Sequence, residues 1–153
     1  MKNYIVFFLL MAACACGNAN NNQPADEHNN ASIPKTASDS LYKSVMDGHD
    51  VSMKKMGEIV RLKALISQQK DSIAKFKTKD LQYIAAFDTA FNNLVYAEEL
   101  MNKWMQDFNP DSAGNSEDEK LVFFRKEKEK IDTVNARINN SIEAAKKITA
   151  ARP

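Results

Sequence analysis

The sequence predicts an all-α fold, an antiparallel three-helix bundle of long amphipathic helices, and three observations carry that prediction. No proline occurs between Lys35 and Asn109 or between Asp111 and Arg152. An interior proline removes a backbone donor and clashes with the preceding turn, so these tracts are free to stay helical. Apolar residues recur every three or four positions along both, which is the spacing of one helix face. With only 4 Gly and 4 Pro in 153 residues, the chain lacks the turns of a β-sandwich and the glycine loop of a nucleotide site.

The first helix is expected to begin near Ser38, with Thr36 or Ser38 capping the open amides and Asp39 in the first turn. Its apolar stripe reads Tyr42, Met46, His49, Met53, Met56 and Val60, then drifts to Ile59, Leu62, Ile66, Ile73 and Phe76. Gly48 and Gly57 each weaken the interior by up to about 1 kcal/mol relative to Ala, which marks them as points of close approach by a neighbour. Two polar stretches, Ser67–Ser72 and Lys77–Asp80, offer an end; the second is preferred.

A second helix runs from about Lys79 to Phe108, with Ile84, Phe87, Phe91, Leu94, Glu98, Met101, Met105 and Phe108 on its stripe and Ala90, Ala97, Leu100 and Trp104 beside it. Asn109-Pro110-Asp111-Ser112-Ala113-Gly114-Asn115 ends it with a series of breakers. Ser116-Glu117-Asp118-Glu119 is then a capping box, opening a third helix that carries Leu121, Phe124, Ile131, Val134, Ile138, Ala145 and Ile148. Rods of about 30 to 35 residues are roughly 45 to 50 Å long. Their stripes must leave water, so they fold back on one another with coiled-coil-like crossing. An extended dimeric coiled coil is the alternative.

The N-terminus reads as an address. Lys2, the apolar run Tyr4–Ala13 and small residues before a cysteine form a secretory signal, and the run is too short to span a bilayer. Met11-Ala12-Ala13-Cys14 resembles the bacterial lipobox, in which the cysteine is acylated and becomes the first residue; Cys16 offers a second register. Residues 1–13 are therefore expected to be a lipoprotein signal peptide, residues 14–37 a lipidated, Asn-rich flexible tether, and residues 38–150 the bundle. Acyl chains contribute about 0.8 kcal/mol per buried methylene, enough for two or three chains to hold a protein on a membrane.

Charge supports that division of labour. The 21 Lys and Arg against 20 Asp and Glu leave +1, which argues against nucleic acid as a partner. Loss of Lys2 with the signal brings the count to 20 against 20 (21 − 1 = 20), so anionic lipid does not attract the chain electrostatically.

Few catalytic parts remain. Both cysteines crowd the cut site, excluding thiol catalysis and Cys-type zinc sites from the folded part. His49 is its sole histidine, and position 46, where a helical di-iron site wants Glu, is Met. Thioether sulfur with imidazole does suit Cu(I), so His49 with Met46, Met53, Met56, Met101 and Met105 is the candidate metal set, a haem ligand pair being a variant. Core filling by flexible methionine is the favoured reading of the same residues. Glu98 either meets a cation or lies at the seam's edge, and edge placement is expected. Trp104 is expected to anchor the core, although exposed with Phe108 it would make a partner-binding patch. The Lys126–Lys130 alternation of Lys and Glu reads as a solvated face.

The stretch Met46–Ile59, the segment Met101-Asn-Lys-Trp104-Met105-Gln-Asp-Phe108, and Glu127-Lys-Glu-Lys130-Ile131 with Val134 resemble a group of small lipoproteins of Bacteroidota. These are often labelled, misleadingly, viral A-type inclusion proteins. The sequence departs from that group in Lys54, where the group has proline, and in Leu100, where a second methionine is common. The resemblance implies a lipid anchor and an uncharacterised helical domain, and it brings no activity or catalytic residues.

The expected function is a lipid-anchored protein of the bacterial envelope, held on the outer membrane and facing the periplasm, acting as a non-enzymatic binding or structural module. Its expected partners are the membrane, through the acyl chains, and an envelope protein; a homo-oligomer stays open. Cu(I) or haem binding through His49 and the methionines is the alternative, with no cofactor expected otherwise.

Overall fold

A computed structural model describes residues 34–75 and 81–151. The signal segment, the tether as far as residue 33 with Cys14 and Cys16, Phe76 and the Lys77–Asp80 helix end lie outside those residues; the last tether positions, Thr36 and Ala37, already cap and open the first helix. Helix α1 spans Ala37–Ala74, α2 spans Leu81–Asp107, a 3-10 turn covers Pro110–Ala113, and α3 spans Glu117–Ala150. No strand occurs among the described residues.

Each long helix starts where its local chemistry dictates. Thr36 Oγ1 accepts from the Asp39 amide at 3.1 Å while the Asp39 carboxylate accepts from the Thr36 amide at 3.1 Å, closing a capping box. Ser116 and Glu119 do the same for α3, with Glu119 Oε2 accepting from the Ser116 amide at 3.0 Å. A cap of this kind is worth about 1 kcal/mol. Between α2 and α3 the chain turns at Gly114, whose φ of 88° lies in the left-handed region. A Cβ there would also sit 2.7 Å from Glu119 Cβ, so only glycine fits. At its far end α1 runs straight through the polar stretch Ser67–Ser72, where the Ser67 and Ser72 hydroxyls bond back to carbonyls one turn earlier.

The helices run up, down and up. Ser38–Glu117, Ser52–Asn135 and Gln69–Thr149 ascend together, so α1 and α3 are parallel. His49–Trp104, Lys63–Glu98 and Lys70–Asp88 descend along α2, which is antiparallel to both neighbours. Val45, Ser52, Ile59 and Ile66 on α1, Phe87, Leu94 and Met101 on α2, and Phe124, Ile131, Ile138 and Ala145 on α3 are all buried. Each set recurs at every seventh residue, the repeat that drives left-handed supercoiling. Each large apolar side chain contributes roughly 1.5–3 kcal/mol on leaving water.

That seam corrects the expected face of α1. Tyr42 and Met53 are each 39% exposed and Val60 is 55% exposed, whereas Ser38 and Ser52 are buried. The small serines stand where α3 approaches closely. Ser52 Oγ donates to Asn135 Oδ1 at 2.6 Å, and Asn135 Nδ2 donates to the Gly48 carbonyl at 3.0 Å. A Cβ on Gly48 would lie 3.1 Å from Ile131 Cγ2, which bears out the close approach expected there. Gly57 differs: a Cβ there would meet nothing within 4 Å. Glu98 also departs from its expected edge position, since it forms an inter-helix ion pair with Lys63. The Glu98 side chain is 27% exposed and that of Lys63 20%, so the pair is part-buried between α1 and α2.

Candidate functional site

Aromatic side chains gather at the end of the bundle where α1 and α3 begin and α2 finishes. Trp104 stacks on Phe108 with centroids 4.8 Å apart, and Phe108 faces Tyr42 and Phe123, each at 6.4 Å. Phe124 meets Tyr42 and Phe123 edge-on, both at 5.3 Å. The His49 ring lies 5.9 Å from Trp104. Stacked and edge-on pairs are each worth about 0.5–1.5 kcal/mol beyond their burial.

Beneath this cluster lies a buried carboxylate. Trp104 Nε1 donates to Glu127 Oε2 at 3.0 Å, and Lys130 Nζ donates to Glu127 Oε1 at 2.7 Å. The Glu127 side chain is 7% exposed. Leaving a buried charge unpaired costs several kcal/mol, so both oxygens take a donor. The solvated face expected for Lys126–Lys130 is therefore wrong at Glu127. A signal was present in the sequence: Glu127 stands seven residues before Val134 and fourteen before Ser141, in one buried row.

Two hollows flank these residues. One, of about 360 Å³, lies between α2 and α3 and is lined by Leu100, Trp104, Thr133 and Val134, with Lys103, Asp107 and Lys130 at its rim. Another, of about 470 Å³, lies behind the 3-10 turn and includes Ala113, Val122, Phe123 and Lys126. Trp104 is 5% exposed and Phe108 half-buried against the core, so the pair is not an open aromatic patch. Trp104 still walls the first hollow. Chemically this arrangement offers an apolar wall with two ammonium groups above it, both already paired, Lys103 with Asp107 at 2.8 Å and Lys130 with Glu127 at 2.7 Å.

The residues of the candidate metal set sit in unlike surroundings. Met101 is fully buried, Met46 and Met56 are half-buried, and Met53 and Met105 are 39% and 37% exposed. His49 Nδ1 lies 2.9 Å from Asp50 Oδ1, a hydrogen-bond distance to a carboxylate on the same helix. The antiparallel register of α1 and α2 places Met53 and Met56 at the height of Met101. No group of three or more His, Cys, Asp or Glu able to hold a metal occurs among the described residues.

Three carboxylates are held below their ordinary range by identifiable donors. At Glu117 the Ser38 amide is the main cause and the Ser38 hydroxyl the next. At Glu119 the Ser116 amide leads. At Glu58 the hydrogen bond from Lys146 does so. None of the described helices is long and apolar enough to cross a membrane.

Compared with family models, curated proteins and solved structures, the chain finds no match among any of the three.

Proposed function

We propose that this chain is a lipid-anchored protein of the bacterial envelope whose helical bundle serves as a non-enzymatic binding or structural module. The single observation that carries the reading is Met11-Ala12-Ala13-Cys14, following an apolar run that begins two residues after Lys2. Cys14 and Cys16 are the chain's 2 cysteines, which accords with a thiol kept for acylation rather than for the fold. The bundle starts at Ala37, so 22 residues (15–36) separate Cys14 from it. On this reading the acyl chains hold the protein on the outer membrane, and the bundle presents its surface to the periplasm. The hollow beside Trp104 supports a binding role, because an apolar wall under a lysine rim suits an amphipathic partner.

Metabolic labelling with a palmitate analogue tests the anchor. The chain should take up label and fractionate with membranes, and Cys14→Ser should abolish both. Uptake that survives Cys14→Ser but not Cys16→Ser moves the anchor to the second register. Absence of label, with fractionation unchanged in the double variant, overturns the reading.

A further inference from the structure

Core filling accounts for some of the methionines in the helices and leaves two over. Met101 is fully buried, Met56 packs against the core and Met46 is half-buried. Met53 on α1 and Met105 on α2 are instead 39% and 37% exposed. Both stand on the edge where α1 meets α2, beside His49. The His49 ring lies 5.9 Å from that of Trp104 on α2, and fourteen residues further along the same row Lys63 pairs with Glu98 of α2. Met53 follows His49 by one turn and so shares that side of α1. Met105 stands seven residues after Glu98, in the row of α2 that faces α1. The register that sets Met53 at the height of Met101 brings Met105, one turn further along α2, level with His49.

We propose that His49, Met53 and Met105 form a binding site for Cu(I) at the open edge between α1 and α2. The donor set selects the ion. Thioether sulfur and imidazole suit soft Cu(I), whereas Mg2+ and Ca2+ want oxygen ligands that this edge does not gather. Asp50 supports the histidine in the way metal sites commonly do. Its Oδ1 lies 2.9 Å from His49 Nδ1, and a carboxylate that holds one ring nitrogen leaves the other, Nε2, for a metal. The His49 side chain is 21% exposed, so the ring is anchored against the bundle and still reachable from solvent. Methionine is unbranched with three rotatable bonds, so two sulfurs carried on neighbouring helices can adjust to one ion. The next lysine along this row, Lys63, is already neutralised by Glu98, and Lys103 on α2 by Asp107. Neither therefore opposes an added positive charge. The site rests neither on the lipid anchor nor on the hollow between α2 and α3.

Competition for Cu(I) with the chromogenic chelator bicinchoninate, under nitrogen with ascorbate present, tests the site on the full chain. The parent carries Cys14→Ser and Cys16→Ser, which removes competing thiols and makes the outcome independent of acylation. It should withdraw a single Cu(I) per chain from the chelator. The fluorescence of Trp104, the chain's single tryptophan, should fall in step with that uptake. Met53→Leu, Met105→Leu and His49→Gln should each weaken binding at least about tenfold, and Asp50→Asn should weaken it about tenfold through the ring it orients. Met46→Leu, one turn before His49, should leave the affinity as it is. Met53 and Met105 are exposed, so their leucine variants should keep the parent's circular dichroism. A parent that withdraws no Cu(I) overturns the proposal. So does undiminished affinity in Met53→Leu or Met105→Leu, or a loss in Met46→Leu as large as theirs.

Discussion

Glu117, the first residue of α3, completes the first turn of α1: its carboxylate accepts from the Ser38 amide and the Ser38 hydroxyl, both at 2.8 Å. The opening amides of a helix have no partner within it, and here one of them is satisfied from a neighbouring helix. Two parallel helices are thereby clasped at their N-termini.

This clasp makes stability depend on acid. The Glu117 carboxyl is held below its ordinary value of 4.5 in the folded chain, chiefly by the Ser38 amide. Its contribution is therefore complete above that value and is lost as pH falls through the lower, folded one. Glu119 and Glu58 shift in the same direction and add to the effect. Thermal melts followed by circular dichroism from pH 7 to pH 3 should show a falling midpoint, and Glu117→Gln should flatten the slope. Identical slopes for the two proteins would remove the clasp from the account.

The Trp104–Glu127 pair predicts a coupling. Trp104→Phe keeps most of the ring but removes the donor to Oε2, and a buried acceptor left unsatisfied costs about 1–3 kcal/mol. In a Glu127→Leu background there is no acceptor to strand, so the same substitution should cost clearly less. Urea denaturation of the four proteins in the cycle measures the difference. Equal costs in both backgrounds would mean the hydrogen bond contributes nothing.

Three glycines give opposite signs. Gly57→Ala should gain up to about 1 kcal/mol, because the methyl has open space and alanine favours helix. Gly48→Ala should lose stability as Ile131 is pushed from 3.1 Å. Gly114→Ala should lose at least about 1–2 kcal/mol from its positive φ, apart from the clash with Glu119. Denaturant midpoints report all three, and a common sign would contradict the packing described.

How far the sequence could be read depended on whether its signals were local. The capping boxes at Thr36 and Ser116 and the breakers around Pro110 act within a few residues, and the helices start and stop close to where they point. Choosing the buried face of α1 required its neighbours. Met46, Met53 and Val60 are larger and more apolar than Ser38 and Ser52, so side-chain hydrophobicity favours the wrong face. The serines are inside because Asn135 and Glu117 on α3 supply partners and their small size lets the parallel helix come near. Glu127 is a similar case: its seven-residue spacing to Val134 marks the buried row, but the Lys and Glu on either side suggest a solvated face, and the Trp104 donor that satisfies it lies 23 residues away.

Two buried serines should behave oppositely. Ser52 Oγ donates to Asn135, so Ser52→Ala strands an acceptor at the α1–α3 seam and should cost about 1–3 kcal/mol. Ser141 Oγ is buried with no hydrogen-bond partner among the described residues, so Ser141→Ala removes a desolvated hydroxyl and should be neutral or mildly stabilising. Chemical denaturation distinguishes the two, and a loss at Ser141 as large as that at Ser52 would contradict the assignment.

Membrane attachment through the first residue of the mature chain is the claim on which the functional reading stands. Mass spectrometry of the N-terminal peptide from protein purified out of envelopes tests it most directly. The account predicts a peptide beginning at Cys14 and carrying acyl mass on that cysteine. A peptide that retains residues 1–13, or one whose cysteines both carry free thiols, would contradict it.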